Sequence, residues 1–346
     1  MRRYSFVPTL PRLFPSAEKA IHSAMVSHRS VEFETLVHRT ENHLRALCGD
    51  DSFRVILVSG PGTFANELMI WNFCSGHRTL VLCNGEFGYR LAAACPECIA
   101  QDFGFARHWD ERRILELLDS RPEIDRIIGV CCETSSGMVN DIAMLNRICE
   151  ARGIWFALDA VSALGVEIGL CSHPALAMAT GSSGKALAGV PGIAILLLNP
   201  RFPRSASENQ PKILQLEPLL TARETPGMVR NTMSSLLLAA LEASCRSILE
   251  LGQEQYRKRL LALKNAIMVR LAESGMKALA GSDSPIVTAF HRPEPEVWRN
   301  WLRSLDEKGV EIYHRVCYLE QRNLFEIAAM GDWQEEFHRI PDLLQL

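Results

Sequence analysis

Lysine is scarce in this chain. Of its 37 basic residues only seven are lysines (Lys19, Lys185, Lys212, Lys258, Lys264, Lys277 and Lys308), which leaves 30 arginines. A codon-biased genome accounts for the imbalance, yet it narrows the chemistry. Between Lys19 and Lys212 the one lysine is Lys185, so amine chemistry in the middle of the chain falls to that residue. An excess of one charge is also missing: 37 basic against 40 acidic residues give a net charge of −3. That balance excludes nucleic acid or an anionic membrane as a partner held mainly by electrostatics. Long apolar runs are absent too. The most apolar stretch, Ala186 to Leu198, is broken by Gly189, Pro191 and Gly192 and is too short to span a bilayer. The opening MRRYSFVPTLPRLFP has no continuous apolar segment, so it is not read as a secretory signal. Repeats and low-complexity tracts do not occur. What remains is ordinary: 346 residues, 47% hydrophobic and 22% charged, enough for a two-domain enzyme expected in the cytoplasm.

Cysteine, by contrast, is plentiful. The eleven cysteines lie mostly in apolar segments such as VLCNG and IIGVCCET, which reads as reduced, buried thiols. Cys95-Pro-Glu-Cys98 has metal-knuckle or redox spacing, but one such pair without a second is weak evidence, and no metal is expected. Cys131 and Cys132 are placed on a strand, one side chain to each face.

From residue 53 apolar strand-like runs alternate with helical patterns. The runs are 53–58, 79–83, 126–132, 154–158 and 192–198, each ending at a polar or glycine-rich turn. Strands apolar on both faces belong in a mainly parallel α/β sheet, and ligands of such sheets sit at the carboxyl ends of the strands. A loop is expected over 203–226, then a long helix from 234 to 264 broken near Gly252. Beyond 280, strand-like pieces at 284–290, 310–313 and 325–328 and a helix at 296–307 predict a smaller α+β domain. The expected division is an N-terminal arm (1–20), a large α/β domain (21–235) and a small C-terminal domain (236–346).

Four strand-end features combine. Gly60-Pro61-Gly62-Thr63 lies between a strand and a helix, where backbone N–H groups and a hydroxyl face an anion. Asp159 ends a buried strand, a costly place for a carboxylate without a partner. Lys185 lies among small residues ahead of an apolar strand. Asn84-Gly85-Glu86-Phe87-Gly88 sets an aromatic between two glycines, suited to stacking on a flat ring. An anion cradle, a lysine, a buried carboxylate and a stacking aromatic are the parts of a pyridoxal 5'-phosphate site: lysine for the Schiff base, aspartate for the pyridine nitrogen, loop for the phosphate.

In order along the chain, six segments carry a family resemblance: Ser27-His28-Arg29-Ser30-Val31-Glu32-Phe33, Gly60-Pro61-Gly62-Thr63-Phe64-Ala65, Asn84 to Arg90, Glu133-Thr134-Ser135-Ser136-Gly137, Asp159 to Gly165, and Ser183-Gly184-Lys185-Ala186-Leu187. Together they resemble the class V aminotransferases of fold type I, especially the branch of 2-aminoethylphosphonate–pyruvate and alanine–glyoxylate transaminases, from about residue 20 to about 331. The resemblance implies a seven-stranded-type sheet, a homodimer and pyridoxal phosphate. It makes Lys185 the Schiff-base lysine, Asp159 the partner of the pyridine nitrogen, and Phe87 the stacking ring. Gly62, Thr63 and Ser183 fall near the phosphate, Thr134 near the ring hydroxyl, and Thr232 near the phosphate of a neighbouring subunit. His28 and Arg29 become substrate contacts.

The chain departs from the family's pattern at four places. Pro61 replaces a usual Ser, Gly184 an Asn or Gln, and Met233 a Pro. The fourth touches the substrate: in Leu324-Phe325-Glu326-Ile327, Glu326 stands where the family carries the arginine that grips the substrate carboxylate. Arg322, four residues upstream, is the only nearby substitute. The sequence therefore implies an aminotransferase acting on a small primary amine or amino acid, with a keto acid or aldehyde as the other reactant. A different reaction of the same cofactor (lyase, decarboxylase or condensation) is the alternative that Glu326 favours. A cysteine desulfurase fits less well, since Gly184 precedes the lysine where that relative has His. A non-catalytic scaffold would have no reason to keep both Lys185 and Asp159.

Overall fold

A computed structural model describes residues 4–23, 25–95, 97–203, 210–224 and 231–345. Along the chain come β1 (Tyr4–Phe6), α1 (Pro15–Ile21), α2 (Val31–Cys48), β2 (Arg54–Ser59), α3 (Gly62–Phe73), β3 (Thr79–Cys83), α4 (Glu86–Ala94) and β4 (Ile99–Asp102). Then follow α5 (Glu111–Ser120), β5 (Arg126–Val130), the short hairpin β6 (Cys132–Glu133) and β7 (Met138–Val139), α6 (Ile142–Arg152), β8 (Trp155–Asp159), β9 (Leu176–Ser182) and β10 (Ile193–Leu198). The last third holds α7 (Leu216–Glu224), α8 (Ser235–Leu251), α9 (Gln253–Glu273), β11 (Val287–His291), α10 (Pro295–Glu307), β12 (Val310–Ile312), α11 (Cys317–Gln321), β13 (Leu324–Ala328) and α12 (Ile340–Leu343).

Seven strands form the central sheet in the order β2-β10-β9-β8-β5-β3-β4. Only β10 runs against its neighbours; every other pairing is parallel. This is the mainly parallel sheet that uniformly apolar runs predict, and β3, β5 and β10 are buried at every residue. The parallel strands deliver the loops after β2, β3, β5, β8 and β9 to one edge, where a site is expected. Two strands escape the sequence reading. β9 reads LAMATGS, whose small residues carry no strand signature, and β4 is four residues long with a polar half.

Local signals set the helix ends. Ser30 accepts a hydrogen bond from the Phe33 amide at the start of α2, and Gly49 closes that helix in the left-handed region. Ser234 caps α8 in the same way, and Gly252 separates α8 from α9, as the sequence predicts. The expected loop over 203–226 instead contains α7, and part of that stretch lies outside the described residues. No described helix is long and apolar enough to cross a membrane.

Beyond the expected boundary at 235/236, α8 and α9 share in two of the hydrophobic clusters. Leu238, Leu241 and Ile248 of α8, with Tyr256 and Leu260 of α9, pack with the central sheet. Leu263, Ile267 and Leu271 pack in a second core with Trp301, Phe325 and Trp333. The changeover thus lies inside α9, because that helix is long enough to reach both cores. The N-terminal strand also joins the second core: β1 pairs in parallel with β12, and Phe6 stacks on Trp333 at 4.9 Å.

The cysteines depart from the all-reduced reading at one place. Cys95 and Cys98 form a disulfide, while Cys48, Cys83, Cys131, Cys132, Cys149, Cys171 and Cys245 are buried and free. Cys132 lies on β6, with Cys131 between β5 and β6, and both are buried.

Phe6 is fully buried and is the one residue of β1 whose side chain lies wholly in this core. Phe6→Ala should cost about 3–5 kcal/mol, the usual penalty for emptying an aromatic site. Urea unfolding should show the loss in a transition reported by the tryptophans around Phe325; an unchanged midpoint there would contradict the role given to β1.

Candidate active site

The strand-end loops enclose a cavity of about 520 Å³. Gly62, Thr63, Phe87, Thr134, Asp159 and Lys185 all line it, so six residues singled out from the sequence converge. Asp159 is the last residue of β8 and its carboxylate is inaccessible. One oxygen accepts from the Val161 amide (3.0 Å) and the other from Asn66 Nδ2 (2.7 Å). Burial raises its pKa, while these two hydrogen bonds and Lys185 work in the opposite direction. Asn66 is in turn fixed by the Thr180 hydroxyl, which donates to its Oδ1 at 2.7 Å.

Lys185 follows β9. Burial lowers the pKa of its ammonium; Glu326 first and Asp159 second act to raise it. A half-buried amine with a lowered pKa is available as a nucleophile and base nearer neutrality than a solvated lysine. Gly184, directly before it, has no room for a side chain: an added Cβ would stand 2.5 Å from Pro191 Cγ and 2.7 Å from its Cα. The departure from Asn or Gln at this position therefore has a packing cause.

Opposite Lys185, α3 begins at Pro61 with no side-chain cap. Its leading amides are unspent inside the helix, the arrangement that binds an anion. An added Cβ on Gly62 would meet Val161 Cγ1 at 2.7 Å, so glycine keeps this wall thin. Phe87 stands in the first turn of α4, and here sequence reasoning missed a residue. Gly85 caps α4 without a side chain, and Glu133 supplies the missing acceptor. The Glu133 carboxylate accepts from the Phe87 amide (3.2 Å), the Gly88 amide (3.1 Å) and the Ser135 hydroxyl (2.5 Å). It fixes the height of the Phe87 ring, and burial raises its pKa. A buried acid at a strand end was the available signal. Thr134 and Ser162 join their hydroxyls at 2.6 Å on the cavity wall, and Ser162, Asn66, Ser182 and Thr9 are further lining residues.

The remaining sequence-derived residues stand elsewhere. The Ser183 hydroxyl donates to the Val190 carbonyl (2.6 Å) and accepts from the Ile193 amide (3.1 Å), so it closes the turn while Ser182 faces the cavity. His28 and Arg29 lie in the turn before α2 and are not among the lining residues. Thr232 is exposed, and its carbonyl accepts from the Ser59 hydroxyl at 3.0 Å. Arg322 ends α11 rather than sharing a strand face with residue 326. Its guanidinium donates to the Tyr318 carbonyl and lies 4.2 Å from the centre of the Phe105 ring.

Glu326 is fully buried on β13, its backbone held between Ala289 of β11 and Tyr313. The Tyr318 hydroxyl donates to Oε1 at 3.1 Å, and Oε2 has no hydrogen-bond partner. Burial pushes its pKa up to about 8, with Glu133 adding to the rise and Tyr318 and Lys185 opposing it.

This donor set fits a phosphorylated pyridine aldehyde. An uncapped helix start matches a phosphate, a buried carboxylate a protonated ring nitrogen, an aromatic the ring face, and a half-buried amine an aldehyde carbon. No family model matches the chain. It is 26% identical over 303 residues to a 2-aminoethylphosphonate–pyruvate transaminase of Pseudomonas aeruginosa, an alignment covering 83% of this chain and 80% of the relative. The corresponding protein of Pseudomonas fluorescens is 28% identical over 306 residues, covering 84% and 81%. Among solved structures, the alanine–glyoxylate aminotransferase of Nostoc sp. superposes with a TM-score of 0.89 at 21% identity, covering 100% of this chain and 95% of that one. The subgroup IV aspartate aminotransferase of Thermus thermophilus gives 0.87 at 21%, covering 99% and 98%. The fold is that of the fold-type I aminotransferases.

The buried acid makes stability depend on pH. The Glu326 carboxyl titrates near 4.5 when unfolded and about 8 when folded. The folded state therefore holds the extra proton between those values, and stability falls as pH rises through the window. Among the groups that act on it, the Tyr318 hydroxyl and Lys185 favour the ionised form and Glu133 opposes it, without offsetting the burial. Glu326→Gln should gain on the unliganded wild type by on the order of 2 kcal/mol at pH 8, and the gain should shrink toward pH 5. Paired urea titrations at the two pH values measure it; a gain independent of pH would refute the account.

Proposed function

The chain is a relative of the class V, fold-type I aminotransferases, and we propose that it is itself a pyridoxal phosphate-dependent aminotransferase using Lys185. The observation that carries the reading is the convergence of half-buried Lys185 and buried Asp159 on one cavity that also holds an uncapped helix start and an aromatic. The phosphate would lie on the amides of Gly62 and Thr63. Phe87 would cover one ring face, and Thr134 with Ser162 would meet the ring hydroxyl. Bound there, the cofactor supplies an aldehyde to combine with amines and a ring that takes up the electron pair released at the substrate carbon.

The protein's own residues do the rest. Asp159, steadied by Asn66 and the Val161 amide, holds a proton at the ring nitrogen. Lys185 would hold the cofactor's aldehyde carbon through Nζ, and the same amine would carry a proton to or from the substrate carbon. Glu133 sets Phe87 through the first turn of α4. Thr232, exposed on the segment before α8, would reach the phosphate site of a second subunit in a homodimer. His28 and Arg29, with their turn at the surface, would contact substrate only across the same interface.

The donor is a small primary amine or amino acid, of the 2-aminoethylphosphonate or alanine and serine kind, with a keto acid or aldehyde as acceptor. Glu326 favours a narrower set. Its carboxyl acts on Lys185, Oε2 is unpartnered, and Arg322 does not replace the arginine, being committed to Tyr318 and Phe105. With a pKa of about 8, Glu326 is largely protonated at neutral pH and lacks the positive charge an arginine offers a carboxylate; where it ionises it favours a substrate amine. The same feature supports a second reading, a lyase, decarboxylase or condensing reaction of the same cofactor.

Protein supplied with pyridoxal phosphate should turn yellow, and borohydride should fix the cofactor to the peptide containing Lys185, with no fixation in Lys185→Ala. A wild type that takes up no cofactor ends the proposal. Holoenzyme mixed with an amine alone should accumulate the pyridoxamine form; product release without it would select the second reading. Glu326→Arg should raise kcat/KM for α-keto acids about tenfold or more, the scale of one charge pair gained. No gain would remove Glu326 from substrate selection.

A further inference from the structure

The Cys95-x-x-Cys98 pair takes no part in the site just described. Cys95 caps the C-terminal end of α4, and Cys98 lies directly before β4. A third cysteine, Cys74, caps the C-terminal end of α3. The three sulfurs lie within 4.8 Å of one another although Cys74 is 21 and 24 residues away in sequence. Sulfurs arranged about a zinc ion stand roughly 3.8 Å apart, given a Zn–S bond of about 2.3 Å, so little movement separates this cluster from a ligand set.

The surroundings of Cys74 supply the second observation. The Thr79 hydroxyl lies against its thiol, and the buried Arg126 Nη1 beside it has no hydrogen-bond partner. Arg126 is 4% exposed; its Nη2 meets His77 Nε2 at 2.8 Å, and its guanidinium lies over the rings of Phe73 and Phe202. An unspent cationic donor calls for an anionic acceptor. A thiolate at Cys74 would be that acceptor. A zinc ion with three thiolates carries a net charge of −1, which a single arginine offsets.

We propose that Cys74, Cys95 and Cys98, in their reduced form, make a three-thiolate zinc site that joins the C-terminal ends of α3 and α4. The disulfide is the oxidised form of the same cluster. A dithiol delivers two electrons and two protons to the Cys95–Cys98 bond and becomes a disulfide itself. Zinc then displaces the three thiol protons, and water fills the fourth position. The helices so joined are the two whose opposite ends carry Gly62, Thr63 and Phe87, so the ion would brace the cavity from behind. The site stands whether or not the cavity holds pyridoxal phosphate.

The test uses full-length protein reduced with a dithiol, freed of reductant without oxygen, and titrated with zinc against a chromophoric chelator. Wild type should take up one zinc per chain. Cobalt in its place should give thiolate-to-metal absorption. Cys74→Ser and Cys98→Ser should each weaken zinc binding at least 100-fold, whereas Cys317→Ser, at an exposed cysteine outside the cluster, should bind as wild type does. Oxidation to the disulfide should abolish uptake. Circular dichroism identifies any variant that has not folded, and the wild-type stoichiometry and cobalt spectrum decide the matter without it. Reduced wild type that binds no zinc, or that binds it equally after Cys74→Ser, overturns the proposal.

Discussion

A carboxylate without access to water sits at the end of a fully apolar strand, and the rest of the cavity is organised by what that requires. Asp159 is tolerable there because two hydrogen bonds from Val161 and Asn66 and the charge of Lys185 oppose the desolvation. Each partner imposes a further condition. Asn66 must be held by Thr180 on β9, which fixes the rotation of α3. The Val161 amide must follow β8 at once, which fixes the turn beneath Gly62. Lys185 must return toward β8 from the end of β9, which sets the tight packing of Gly184 on Pro191. The anion-binding start of α3 is therefore positioned from the same acid that would hold a ring nitrogen.

The start of α4 obeys a second constraint of the same kind. Glu133 is buried at no fewer than three hydrogen bonds, two of them to the first turn of α4. Two acids from neighbouring strands thus aim two helices at one cavity, and a third acid, Glu326, approaches Lys185 from the other core. Lys185 acts on two of the three, Asp159 and Glu326. The charge state of Lys185 is accordingly a property of both cores rather than of one loop.

The sequence disclosed the parts of this arrangement whose chemistry is unusual for their place. A lysine among glycines, an acid ending an apolar run and an aromatic between glycines stand out against their neighbours, and all three line the cavity. Residues of common type stayed hidden. Asn66 lies mid-helix and Ser182 ends a strand of small residues, and neither pattern separates a site residue from a packed one. Ser183 was selected over Ser182 because periodicity does not reveal which of two adjacent hydroxyls turns inward after an irregular strand end. β9 itself was missed for the same reason: Ala, Thr and Gly fit between α3 and β10 where larger residues would not, so close packing erased the strand signature. The changeover between cores inside α9 was illegible because one continuous helix serves both.

The pairing of β1 with β12 has a consequence for how the chain is made. Ser5 and Glu311, joined across this pair, are 306 residues apart. During synthesis Phe6 leaves the ribosome long before its partners on β12 and at Trp333. The central sheet can close while β1 still lacks its berth. That strand must therefore stay free of other edges until β12 has been made, and its three-residue length suits it to wait without recruiting a wrong neighbour.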